Sequence, residues 1–292
     1  MFLNGCIEDI NVKLPGSERK IVIEGRIENG KPAEVFVMRN APLSDTANYY
    51  KYYRVTDAKI TVSDGVNTET LVGPTDLFYY GDSESTYRYP PYKGKTILGI
   101  PGKTYYLTVV ADGKTYTSIT TIPTPIALDS VWWKKVSDQK PNIGYAWARL
   151  SEPAGLGNAY RWSAKRANKT YANGETRDRR YLSPVGATFD DKLIDGKILD
   201  FNYSRGVDPT DFYFQDHPND FVYEYKRSDT IYVKFCTIDQ NSAKFYTTYE
   251  TAYASNGNPF AAPVNVITNI NGGGLGIWAG FGCTYDTIMP QP

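Results

Sequence analysis

The stretch Ala58-Lys59-Ile60-Thr61-Val62-Ser63-Asp64-Gly65 decides the fold class. Ala58, Ile60 and Val62 alternate with Lys59, Thr61 and Ser63, a period of two that puts one set of side chains on each face of a strand. Asp64 and Gly65 then supply residues that tolerate the positive φ of a tight hairpin turn. The same grammar recurs at Tyr105, Leu107, Val109 and Ala111, where Asp112 and Gly113 turn the chain into residues 114–121. Working outward, Ile21, Ile23 and Ile27 alternate with Glu24 and Arg26, and residues 34–39 continue the sheet. A tyrosine leading an alternating strand before the last hairpin matches the strand plan of an immunoglobulin-like sandwich. Residues 20–122 are therefore predicted as an N-terminal immunoglobulin-like β-sandwich.

Ile122-Pro123-Thr124-Pro125 interrupts the ladder, because proline donates no backbone hydrogen bond and holds its predecessor extended. Beyond it, Val131 and Trp133, then Ile143, Tyr145 and Trp147, then Tyr160, Trp162 and Ala164 read as strands with bulky residues on one face. Residues 126–292 are predicted as a second, mostly-β domain containing one helix. Asp239 suits an N-cap, Phe245, Tyr249 and Tyr253 follow at helical spacing, and Asn256, Gly257 and Pro259 end it. That aromatic stripe is expected to pack in the core. The whole chain reads as all-β.

Composition narrows the function. The 292 residues carry 32 Lys plus Arg against 32 Asp plus Glu, a net charge of zero that argues against a nucleic-acid partner. One histidine, His217, leaves little material for a catalytic triad or a His-rich metal site. Aromatic residues reach 14 %, with 25 Tyr, and they concentrate in an insertion between the first domain's hairpins. There Tyr49, Tyr50, Tyr52 and Tyr53, then Tyr79 and Tyr80, then Tyr87, Tyr89 and Tyr92 lie among Gly, Pro, Ser and Asp. Exposed tyrosines provide stiff, amphipathic contact area, so this cluster, Tyr92 apart, is the expected ligand- or partner-binding site, against the plainer reading of a covered sheet edge.

Other signals are weaker. Gly272-Gly273-Gly274 could cradle a phosphate, but a strand rather than a helix follows, so a structural turn is expected. Asp190, Asp191, Asp195 and Gly196 lack the ligand spacing of a calcium loop. Lys165, Arg166, Lys169, Arg177, Arg179 and Arg180 are cationic enough to invite an anionic glycan, yet Glu175 and Asp178 among them favour a solvated loop. Cys236 and Cys283 form an even pair, but each lies in an apolar strand pattern where a free cysteine packs as a small hydrophobe, and the sequence leaves their pairing open. No cofactor and no metal is expected.

At the N-terminus, Leu3-Asn4-Gly5-Cys6 resembles a bacterial lipobox, and Ile7, Glu8 and Asp9 follow it as an acidic export signal would. Residues 1–19 then read as lipobox and tether, with Cys6 as the lipidation site that anchors the protein to a membrane. Cys6 with this follower, residues 21–25, 102–108, 122–131, 152–160 and 190–197, and the closing Asn269-Ile270-Asn271-Gly272-Gly273-Gly274 running to Gly282 resemble the Bacteroidota outer-membrane lipoproteins of domain-of-unknown-function family DUF4249. The resemblance implies a lipid-anchored outer-membrane protein facing the cell exterior, often beside a TonB-dependent transporter, and it carries no catalytic residues. The expectation is a non-enzymatic accessory or ligand-capture lipoprotein, whose ligand would be a glycan or peptide. The alternatives are a surface hydrolase using a carboxylate pair and a structural subunit of an envelope complex.

Overall fold

A computed structural model describes residues 19–40, 54–73, 91–167, 178, 180–206, 223–255, 258, 260–262 and 264–290. Among them the chain is all-β with one helix, and its strands form three sheets. The largest sheet has seven strands in the order β11 (Thr188–Asp190), β10 (Ala159–Arg166), β14 (Ile231–Ile238), β15 (Leu275–Ile288), β1 (Ile21–Glu28), β2 (Pro32–Arg39) and β5 (Tyr92–Leu98). A second sheet runs β4 (Thr68–Thr70), β3 (Lys59–Ser63), β6 (Thr104–Ala111), β7 (Lys114–Thr121). In the third, β9 (Lys140–Ser151) is flanked on one side by β8 (Ser130–Ser137) and on the other by β12 (Ile198–Tyr203) and β13 (Tyr225–Lys226).

The large sheet draws strands from both sides of the Pro123–Pro125 interruption. β15 lies parallel to β1, from Val22 opposite Leu275 to Glu28 opposite Phe281, while β14 flanks β15 antiparallel. On its inner face, Ile23, Val35 and Trp278 pack against Tyr105, Leu107 and Tyr116 of the second sheet. Further along, Tyr160, Trp162, Phe235 and Ile288 pack against Ala146, Ala148 and Leu150 of the third. The two covering sheets thus share one face, and residues 121–125 cross β15 between them. Glycine is required at that crossing: a Cβ on Gly282 would lie 2.2 Å from the Pro123 carbonyl oxygen, and one on Gly280 would lie 2.7 Å from that of Thr121. The opposite, outer face carries the helix α1 (Gln240–Ser255), seated on Ile277, Ala279, Phe281 and Ile238.

Local chemistry explains most elements. The Asp112–Gly113 turn has φ of 51° and 71°, as a two-residue hairpin requires. At the other hairpin only Gly65 takes positive φ; Asp64 instead accepts hydrogen bonds from the backbone N–H groups of Val66 and Asn67 and pairs with Lys103. Asp239 caps α1 by accepting from the Ser242 backbone N–H at 2.7 Å. Gly272 and Gly273 adopt φ of 90° and 83°, and a Cβ on Gly272 would lie 2.5 Å from the Thr115 carbonyl oxygen, so the glycine run is a tight turn packed on β7.

The structure refines three expectations. In β9, Tyr145 and Trp147 share one face as expected, and that face is the outward one, with Ala146, Ala148 and Leu150 facing in, because the rings of Tyr160 and Trp162 opposite already fill that space. The helix stripe is core only at its start: Phe245 packs against the core, with Tyr246 beside it, whereas Tyr249 and Tyr253 are 50 % and 51 % exposed and the buried side consists of Ser242, Ala243 and Glu250. Glu250 sets this rotation by accepting from Arg161, Thr188 and the Gly186 backbone N–H. Third, Cys236 and Cys283 are not free thiols but form a disulfide between β14 and β15. The Cys283 N–H donates to the Asn29 side chain, and its carbonyl accepts from it. Its main-chain polar groups therefore turn away from β14, which makes this a non-hydrogen-bonded pair whose side chains approach each other.

Candidate functional site

On the outer face of the large sheet, beyond the end of α1, strand alternation gathers charged and aromatic side chains from several strands. With Ile231, Val233 and Phe235 committed to the core, β14 turns Tyr232 and Lys234 outward. β15 places Tyr285 directly opposite Lys234, and β10 places Lys165 opposite Tyr232. Glu28 closes β1 on the same face, three residues before Lys31 in the turn.

Glu28 is 6 % exposed and is the hub. Its carboxylate accepts from Lys234, from the Tyr285 hydroxyl and from Lys31, the last at 2.7 Å. The Lys31 and Lys234 ammonium groups lie 4.9 Å and 5.9 Å from the Tyr285 ring centroid. Tyr181 meets Tyr285 edge-on at 5.8 Å, and Lys165 stands 4.9 Å from the Tyr181 ring and 5.9 Å from that of Tyr232. Tyr285 keeps 45 % exposure and Lys31 is also open to solvent, so the cluster is accessible on one side.

Burial alone would raise the Glu28 carboxyl, yet Lys234, Lys31 and Tyr285 together hold it below the usual carboxylate range. Burial, and then the Glu28 charge, push the Tyr285 hydroxyl far above its ordinary value, so it stays a donor. The folded state therefore binds fewer protons at Glu28 than the unfolded chain does. The stability this contributes is present above the ordinary carboxylate pKa, about 4.3, and is lost as pH falls through the lower folded value. Urea midpoints measured from neutral pH down to pH ~3 should fall, and Glu28→Gln should flatten part of that slope. An unchanged slope in the variant would mean that the carboxylate is not held as described.

The other buried carboxylates serve the scaffold. Glu152 accepts from Tyr160, Asn158 and the Gly196 N–H, and Asp191 accepts from the backbone N–H groups of Gly157 and Asn158. Asp178 forms a buried ion pair with Arg166 and faces Arg205 at 3.5 Å, while Asp229 accepts from the Lys226 N–H. Asp195 accepts from the Gly155 N–H, and within residues 190–196 the Ile194 N–H donates to the Asp191 carbonyl, so the segment is a turn tied to the neighbouring loop. Among the described residues no group of three or more His, Cys, Asp or Glu is placed to hold a metal ion.

The residues singled out from sequence fall mostly elsewhere. Cys6 and Tyr49, Tyr50, Tyr52, Tyr53, Tyr79, Tyr80, Tyr87 and Tyr89 lie outside the described residues. Tyr92 is described and is 3 % exposed, its hydroxyl donating to the Val55 carbonyl and accepting from the Ala58 N–H, so it belongs to the core. Of the cationic stretch, Lys165 joins the outer cluster and Arg166 turns inward to Asp178. Sequence reading missed Tyr232, Lys234 and Tyr285, although polar and aromatic residues alternating with Ile231, Val233 and Phe235 were a usable signal.

These features define a β-sandwich protein with a helix-covered outer face and an open tyrosine–lysine cluster beside the helix. The family model of DUF4249, a domain of unknown function, matches residues 7–284, and the chain belongs to that family. None of the curated proteins compared with the chain matches it.

Proposed function

We propose that this chain is a non-enzymatic outer-membrane lipoprotein of the Bacteroidota type, anchored through Cys6 and facing the cell exterior. In this role it is an accessory or ligand-capture subunit of a TonB-dependent transporter. The observation that carries the binding reading is the outer cluster, where Tyr285 and Lys31 are open to solvent and Tyr181, Tyr232 and Lys165 stand half-buried beside them rather than in the core. The hydrolase alternative needs two carboxylates of opposed environment, and Glu28, Glu152, Asp178, Asp191, Asp229 and Glu250 are each engaged by scaffold donors. The Cys236–Cys283 bond supports an extracytoplasmic setting, since disulfides persist in oxidising compartments. The tyrosines of residues 49–53 and 79–89 would supply the contact with the transporter.

The test is gentle detergent extraction of the native outer membrane, capture through a C-terminal tag and mass spectrometry of what is retained. A TonB-dependent transporter recovered in stoichiometric amount is the expected result, and Tyr79→Ala or Tyr89→Ala should reduce it. Elution of the chain alone would overturn the accessory role.

A further inference from the structure

We infer that the outer cluster binds an acidic saccharide, a short chain of uronate-type sugar rings, laid across β10, β14, β15 and the end of β1. This rests on the ligand-capture reading and names the ligand class of that site.

Charge comes first. Lys31 and Lys234 pair with the carboxylate of Glu28 and Lys165 stands apart over the Tyr181 and Tyr232 rings, so the cluster carries three ammoniums against one carboxylate on a chain whose net charge is zero. Glu28 occupies Lys234 and touches Lys31, so Lys165, held by ring faces alone among its described contacts, is the ammonium most available to an incoming carboxylate. A ligand carboxylate there gains a charge-assisted hydrogen bond, and a partly desolvated setting strengthens it.

Extent comes second. The cluster crosses three inter-strand spacings, about 14 Å at the usual strand separation, which suits an oligomer and exceeds the reach of one small anion. Lys165 on β10 and Lys31 after β1 stand at its two ends, with Lys234, committed to Glu28, and Tyr232, Tyr181 and Tyr285 between them. An anion repeated along the ligand, rather than a single one, satisfies that layout.

Surface chemistry comes third. Apart from the Phe281 ring near Lys234, the groups of the cluster are phenols, ammoniums and one carboxylate. A phenol gives a π face to the C–H face of a sugar ring and a hydroxyl to its hydroxyls, with little rotamer freedom to lose. Tyr285 is fixed by Glu28 and the two lysines at its ring, so the faces left to a sugar are mainly those of Tyr181 and Tyr232 beside Lys165.

The experiment is calorimetric titration of the full chain with tetragalacturonate, at low and at high salt. Saturable binding that weakens with salt is expected, together with no binding of neutral maltotetraose. The double variant Lys31→Ala/Lys165→Ala should bind at least tenfold more weakly, and Tyr181→Ala, which leaves every charge in place, should also lose several-fold, both remaining folded at the titration temperature by circular dichroism. Absent binding overturns the inference, as does equal binding by the double variant. Equal affinity for a tetraglutamate peptide, or full affinity in Tyr181→Ala, would mark a generic anion or peptide surface and overturn the saccharide assignment. The isolated chain needs neither anchor nor transporter here. Binding without transporter co-purification would overturn only the accessory role, and co-purification without binding would overturn only this ligand.

Discussion

The double variant Cys236→Ala/Cys283→Ala should be about 4 kcal/mol less stable than the oxidised protein, the chain-entropy value for closing a loop of this size. The bond joins residues 47 apart in sequence, and the closed loop contains α1, its approach from β14 and the glycine turn that returns the chain to β15. Without it, the denatured chain regains the freedom of that whole loop. The native state also loses the covalent tie at the level where Ile238 ends β14 and Asp239 opens the helix. Equilibrium unfolding of the oxidised protein, the reduced protein and the double variant checks this, with reduced protein and variant expected to coincide. A difference under about 1 kcal/mol would mean that the loop is already ordered in the denatured ensemble and that the staple is not what secures β14 to β15.

Trp278→Ala should cost roughly 3–5 kcal/mol, the range for deleting a large buried aromatic side chain. The indole is fully buried and donates its Nε1–H to the Tyr105 carbonyl at 3.1 Å, joining the large sheet to the second one. Its seat exists because Gly25, opposite it on β1, has no side chain: a Cβ there would lie 2.7 Å from the ring. Gly25→Ala is therefore expected to destabilise as well, by roughly 1–3 kcal/mol of overpacking, and combining it with Trp278→Ala should be less than additive because the clash is gone. Denaturant midpoints of the three variants measure the cycle. Full additivity would show that Gly25 and Trp278 do not share one packing contact.

Much of the architecture was legible residue by residue. Alternation at Ile21, Ile23 and Ile27 and at Tyr105, Leu107 and Val109 gave strands with the inward face correct, since those residues are buried. Asp112 with Gly113, and Asp239 as N-cap, act through contacts a few residues apart, which is the distance over which sequence chemistry is self-contained. Errors arose where a partner far along the chain decided the outcome. Of the stripe Phe245, Tyr249, Tyr253, Phe245 does pack on the core, but Arg161 draws Glu250 down onto the sheet and rolls the two tyrosines toward solvent. Which face of β9 turns inward was likewise decided at a distance, by the rings across the interface that leave Tyr145 and Trp147 outside.

By itself, the sequence determined the all-β class, the hairpins, the helix α1 and the tight glycine turn, because period, turn geometry and capping are properties of neighbouring residues. Only the tertiary structure decided that β15 lies beside β1, that Cys236 meets Cys283, and that Glu28, Lys31, Lys165, Tyr181, Tyr232, Lys234 and Tyr285 meet on one face. Those outcomes depend on strand order and register between segments far apart in the chain, where a one-residue shift of a strand would send its side chains to the other face.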